Sequence, residues 1–89
     1  MVSKAYRFKQ ILDCLMKADR PVAPYEIGRE LLLSEMYVFN LLKELEQMGI
    51  VKRERIRHPV TRGMRTVYSL AKGRDEVEMF ISKLFEDGD

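Results

Sequence analysis

Residues 33–51, LSEMYVFNLLKELEQMGIV, contain one helix whose two ends and buried stripe can all be read from the sequence. Ser34 suits the N-cap, where its hydroxyl accepts from a free amide of the first turn, and Leu33 and Val38 are spaced as a hydrophobic staple. Gly49 can take the left-handed conformation that closes a helix, with Ile50 placed to fold back on Leu45. Val38, Leu41, Leu42, Leu45 and Met48 recur at three- and four-residue steps, and this stripe must face a core. Met36, Phe39, Asn40, Lys43 and Gln47 lie opposite, available to a partner.

Outward from this helix, the preceding segment predicts two more. Phe8, Ile11, Leu12, Leu15 and Met16 share one face of a helix over residues 4–18, which Asp19, Arg20 and Pro21 end. Val22 and Ala23 read as a very short extended piece. Pro24 fits the first position of a helix running to Leu32, with Ile27 and Leu31 inward. Gly28 within it implies a close crossing by the helix that starts at Ser34. After Gly49 the residues suit strands, Ile50–Arg57 and Met64–Leu70, joined by a loop containing Pro59 and Gly63. Val51 and Ile56 fall on opposite faces of a regular strand, so the buried face is left open, with a bulge as one way to reconcile them. A last amphipathic helix spans 75–86, with Val77, Phe80, Ile81, Leu84 and Phe85 inward, and residues 86–89 fray.

The chain has 89 residues, 46% hydrophobic and 34% charged, which fits one folded domain. Cys14 is the only cysteine, so no intrachain disulfide or cysteine-based metal cluster can form. There is no signal-peptide core and no apolar run of membrane-spanning length, and a cytoplasmic address is expected. The net charge of +2 conceals a segregation. Residues 1–49 carry seven basic and seven acidic groups; residues 50–74 carry eight basic groups (Lys52, Arg53, Arg55, Arg57, Arg62, Arg65, Lys72 and Arg74) against Glu54; residues 75–89 carry six acids against Lys83. A basic segment between neutral and acidic ones suits a polyanion, or else is a solvated hairpin. His58, the only histidine, reads as a loop residue that could touch a phosphate. Cys14 reads as a small buried hydrophobe and Tyr68 as core. No phosphate-binding glycine loop, nucleophile–base pair or cofactor motif is present, so the expectation is a protein that is not an enzyme and needs no cofactor or metal.

The order helix, short strand, helix, tight turn, capped helix, basic hairpin, helix resembles the winged helix-turn-helix domain of transcription regulators of the MarR-like, ArsR-like and PadR-like families. YEIGRELLLS, VFNLLKELEQMGIV and RGMRTVYSL carry the resemblance, which covers about residues 22–72. It implies a mainly α fold with a small β-hairpin wing (α+β), as one domain over 1–89 in which helices 4–18 and 75–86 flank the 22–72 core. It also implies sequence-specific binding of double-stranded DNA. The recognition helix 34–48 would lie in the major groove and the basic wing 52–65 on phosphates or the adjacent minor groove. Ser34, Met36, Tyr37 and Asn40 would then lie at the duplex, Asn40 able to pair in two-point fashion with adenine. Lys43 and the amides near Pro24 and Tyr25 would hold phosphates, joined by Arg53, Arg55, Arg57, His58, Arg62 and Arg65 of the wing. Met36, Tyr37 and Phe39 could instead form an apolar patch for another protein. The first and last helices also suggest a homodimer, Phe8, Ile11, Leu12 and Leu15 of one helix meeting Val77, Phe80, Ile81 and Leu84 of the other.

Overall fold

A computed structural model describes residues 2–86; the expected fraying of 86–89 falls, from Asp87 onward, outside them. Helix α1 (Lys4–Ala18) starts where the Ser3 hydroxyl accepts from the Tyr6 amide and ends at Asp19, a left-handed residue with φ 55°. Helix α2 (Pro24–Leu31) opens with the proline that needs no donor in the first turn. It closes one residue earlier than its sequence suggests, because Leu32 takes φ 60° and is 90% exposed. Helix α3 (Glu35–Gln47) is capped by Ser34, whose hydroxyl accepts from the Tyr37 amide at 3.2 Å.

The far end of α3 closes as Gly49 and Ile50 require. The Ile50 amide donates to the Leu45 carbonyl at 3.0 Å and the Gly49 amide to Glu46 at 3.0 Å, with Gly49 at φ 78°. Met48 departs from expectation: it is the C-cap residue, outside the last regular turn, and 46% exposed. The chain reverses there, and Ile50, not Met48, is buried beneath the helix end.

Between α2 and α3 the chain turns so tightly that only a glycine fits. A Cβ on Gly28 would stand 2.7 Å from the carbonyl oxygen of Leu33, while the Leu33 amide donates to the Gly28 carbonyl at 2.9 Å. The nearest neighbour is thus the turn itself, at Leu33, and not the body of the helix starting at Ser34 that the sequence suggests.

Strands β1 (Val51–Arg57) and β2 (Met64–Leu70) pair antiparallel in an unbroken register from Val51 opposite Leu70 to Arg57 opposite Met64, without a bulge. Two-sided burial of β2 resolves the ambiguity of faces: Val67 and Tyr68 point oppositely and both are fully buried. The extended piece at Val22 explains how, because Val22 and Tyr68 exchange two backbone hydrogen bonds of 2.8 Å, which makes β2 a strand with neighbours on both edges. Helix α4 (Arg74–Glu86) returns across α1. Among the described residues the fold is therefore a small α+β arrangement of four helices and one hairpin. Its core joins Phe8, Ile11, Leu12 and Leu15 to Ile27, the α3 stripe, Val51, Tyr68 and Val77.

That core corrects the expected dimer interface. Phe8, Ile11, Leu12, Leu15 and Val77 are at most 5% exposed within one chain, so they cannot meet a second chain without unfolding. One domain suffices because α1 and α4 cover each other. Phe80, Ile81 and Leu84 are half-buried against the same core, and Phe85, expected inward, is 37% exposed.

Candidate nucleic-acid interface

Because Val38, Leu41, Leu42 and Leu45 are anchored inside, the opposite side of α3 must face out. Met36, Asn40, Lys43 and Gln47, at steps of four, three and four residues, form one exposed stripe along it. Tyr37 is 39% exposed beside them. Ser34 keeps its hydroxyl proton and a second lone pair for a partner, since its oxygen accepts only from the Tyr37 amide. Phe39 is a bridging residue: half-buried, it meets Tyr68 edge-on with ring centroids 6.5 Å apart, and the Lys43 ammonium stands 5.6 Å from its own ring.

The Phe39–Tyr68 contact orients the hairpin. Tyr68, Thr66 and Met64 lie opposite Arg53, Arg55 and Arg57 in the register, so all six side chains share the face turned toward α3. Arg53 reaches back to Glu46 of α3 at 3.7 Å, and Arg55 and Arg57 continue outward at steps of roughly 7 Å without an ion pair among the described residues. At the tip, the Val60 and Thr61 amides donate to His58 Nδ1 at 3.1 and 3.3 Å, and the His58 amide donates to the Gly63 carbonyl at 2.7 Å. His58 thus folds the loop from within. The turn presents Arg62 at φ 63°, a backbone conformation that only glycine adopts freely, with its side chain exposed.

Two expected phosphate ligands are otherwise engaged. Arg65 lies on the face opposite Tyr68, half-buried, its guanidinium 6.0 Å from the Tyr25 ring centroid, donating to the Tyr25 hydroxyl at 3.4 Å and 3.9 Å from Glu26. It ties the hairpin to α2, and its buried Nε has no partner among the described residues. The start of α2 is occupied too. Pro24 has no amide proton, the Glu26 and Ile27 amides donate to the Ala23 carbonyl, and Glu26 Oε2 accepts from the Ala23 amide at 2.9 Å. Arg20 completes the cluster at 3.0 Å from Glu26. Burial alone would raise the Glu26 carboxyl, but the Ala23 amide, Arg20 and Arg65 outweigh it and hold the group below its ordinary value. A carboxylate at the positive end of α2 takes up part of the role a phosphate would fill there, and of the first-turn amides the Tyr25 N–H is left without a partner among the described residues.

Sequence reading missed Glu26 as the hub of this cluster. The available signal was its place three residues after Ala23 in a helix opened by proline, where a glutamate can reach back to the cap amide. Cys14, by contrast, behaves as read: it is buried, and burial together with the Glu30 carboxylate 3.4 Å from its sulfur pushes the thiol up to about 12. Among the described residues no group of acids, histidine and cysteine is placed to hold a metal, and no helix is long and apolar enough to cross a membrane. No protein-family model matches the chain, and comparison with curated proteins gives no match.

Proposed function

We propose that the protein binds double-stranded DNA as a sequence-selective transcription regulator of the winged helix-turn-helix type, with α3 in the major groove and the hairpin on phosphates or the adjacent minor groove. One observation carries this reading: Arg55 and Arg57 extend along the same hairpin face that meets α3. Two guanidiniums without an ion pair among the described residues, the Lys43 ammonium and the Asn40 amide thereby share one side of the molecule. Cations beside a helix that displays an amide are what phosphate positioning and base reading need together. Arg62 at the tip extends the cationic track, whereas Arg65 belongs to the frame. A homodimer on a palindromic site would use the part of α4 that the core leaves uncovered, around Met79, Phe80 and Phe85.

The test is the salt dependence of duplex binding, followed by fluorescence anisotropy. Replacing Arg55 and Arg57 together by alanine is expected to lower the slope of log affinity against log salt by about 1.8, or ~0.9 for each phosphate that the variant no longer neutralises. Unchanged affinity and slope in that variant would refute the reading. A second reading, a protein-interaction module using Met36, Tyr37 and Phe39, is favoured by the 67% exposure of Met36, and it requires no salt-dependent duplex binding at all.

A further inference from the structure

Glu35, Met36 and Phe39 line a shallow groove of about 390 Å³ on the exposed side of α3. Its two apolar walls differ in kind. Phe39 is fixed, its ring held edge-on by Tyr68, while Met36 is exposed and unbranched and can close over whatever lies between them. The rim is charged oppositely at its two ends, with the Glu35 carboxylate near the start of the helix and the Lys43 ammonium beside the Phe39 ring. Such a groove repels phosphate at its Glu35 end. Among base edges in a major groove, the apolar group that suits it is the C5 methyl of thymine.

Asn40 stands one helical step, about 6 Å, beyond Met36 on the same stripe, close to the rise of two base pairs at ~3.4 Å each. A helix seated with Asn40 on an adenine therefore brings the Met36–Phe39 groove to the neighbouring pairs. We infer that this groove is a receptor for the thymine 5-methyl group, so that α3 selects thymine-bearing steps by apolar contact beside the amide reading of adenine. The inference rests on the duplex-binding reading and adds to it a base-edge specificity that no hydrogen bond supplies. Burial of one methyl corresponds to about fourfold in affinity for each base contacted.

The experiment compares a short duplex of alternating A·T pairs with the same duplex in which every thymine is replaced by uracil, using the full chain and its Met36→Ala variant. The parent is expected to bind the thymine duplex about fourfold more tightly or better, and Met36→Ala to bind both alike, with its salt slope unchanged. Asn40→Ala should weaken binding to both duplexes while keeping the thymine–uracil ratio. If the ratio persists in Met36→Ala, the preference belongs to the shape of the duplex and the groove is not the receptor. Equal binding of both duplexes by the parent, with a normal salt slope, overturns the groove while leaving the proposed function intact. Failure to bind either duplex overturns both and turns the groove over to a protein partner.

Discussion

Replacing Gly28 by alanine should destabilise the protein by about 1–3 kcal/mol, although the same change in an open helix would stabilise it. Three contributions decide the sign. Helix propensity favours alanine by roughly 1 kcal/mol. Against it, the new methyl would stand 2.7 Å from the Leu33 carbonyl oxygen, a backbone atom that no rotamer change can move. Overpacking of this kind costs about 1–3 kcal/mol. Relief by displacing the turn also weakens the 2.9 Å hydrogen bond from the Leu33 amide to Gly28, a further loss of roughly 1 kcal/mol. For a domain of this size the net change corresponds to a fall in Tm of roughly 5–20 °C, readable by thermal unfolding followed by circular dichroism. Because the displaced turn also carries the Ser34 cap, duplex affinity should fall with stability. A Gly28→Ala protein as stable as the parent would show that the α2–α3 turn yields freely and that the glycine is not its determinant.

The Glu26 cluster predicts a pH dependence with a definite sign. Glu26 is held below the ordinary glutamate value of 4.5, so its stabilisation is complete above that value and is lost as pH falls through the lower folded value. The stability gap between the parent and Glu26→Gln, measured by urea unfolding, should therefore be widest at neutral pH and narrow as pH falls below 4.5; a gap independent of pH refutes the assignment. Arg65→Ala should lower stability by roughly 1 kcal/mol yet leave the salt slope of duplex binding unchanged, because its guanidinium is held by Tyr25 and Glu26. A fall in slope equal to that of Arg57→Ala would place it on the duplex instead. Cys14, buried and with its thiol raised to about 12, should react with a disulfide reagent at neutral pH at least about tenfold more slowly than free cysteine, and rapid labelling of the folded protein would contradict its burial.

The parts of the fold legible in the sequence are those with local causes. Ser34 and Gly49 delimit α3 because capping is settled within a few residues, and both strands follow from composition and turn chemistry. Which side of the hairpin is buried was not legible, since it depends on Val22, 46 residues before Tyr68, pairing to the second edge of β2. The supposed dimer seam failed for a related reason: an apolar stripe shows that a helix face must be covered, but not whether the cover comes from the same chain. The candidate site divides likewise. Asn40, Lys43, Arg55 and Arg57 are exposed as read, whereas Arg65 is indistinguishable from the other arginines by residue type and differs only because the alternation of β2 aims it at α2.

The pair of hydrogen bonds between Val22 and Tyr68 has a further consequence for recognition. Together with the Arg65 link to α2 and the Arg53 link to α3, it ties the hairpin to the rest of the fold at three separated points. A hairpin tied in this way has less conformational freedom to lose on association. On the proposed duplex binding, a mismatch between hairpin, α3 and a duplex would fall largely on the DNA. Sites that bend or narrow easily would then be favoured even at base pairs that no side chain touches, part of the proposed selectivity residing in the mechanical compliance of the DNA.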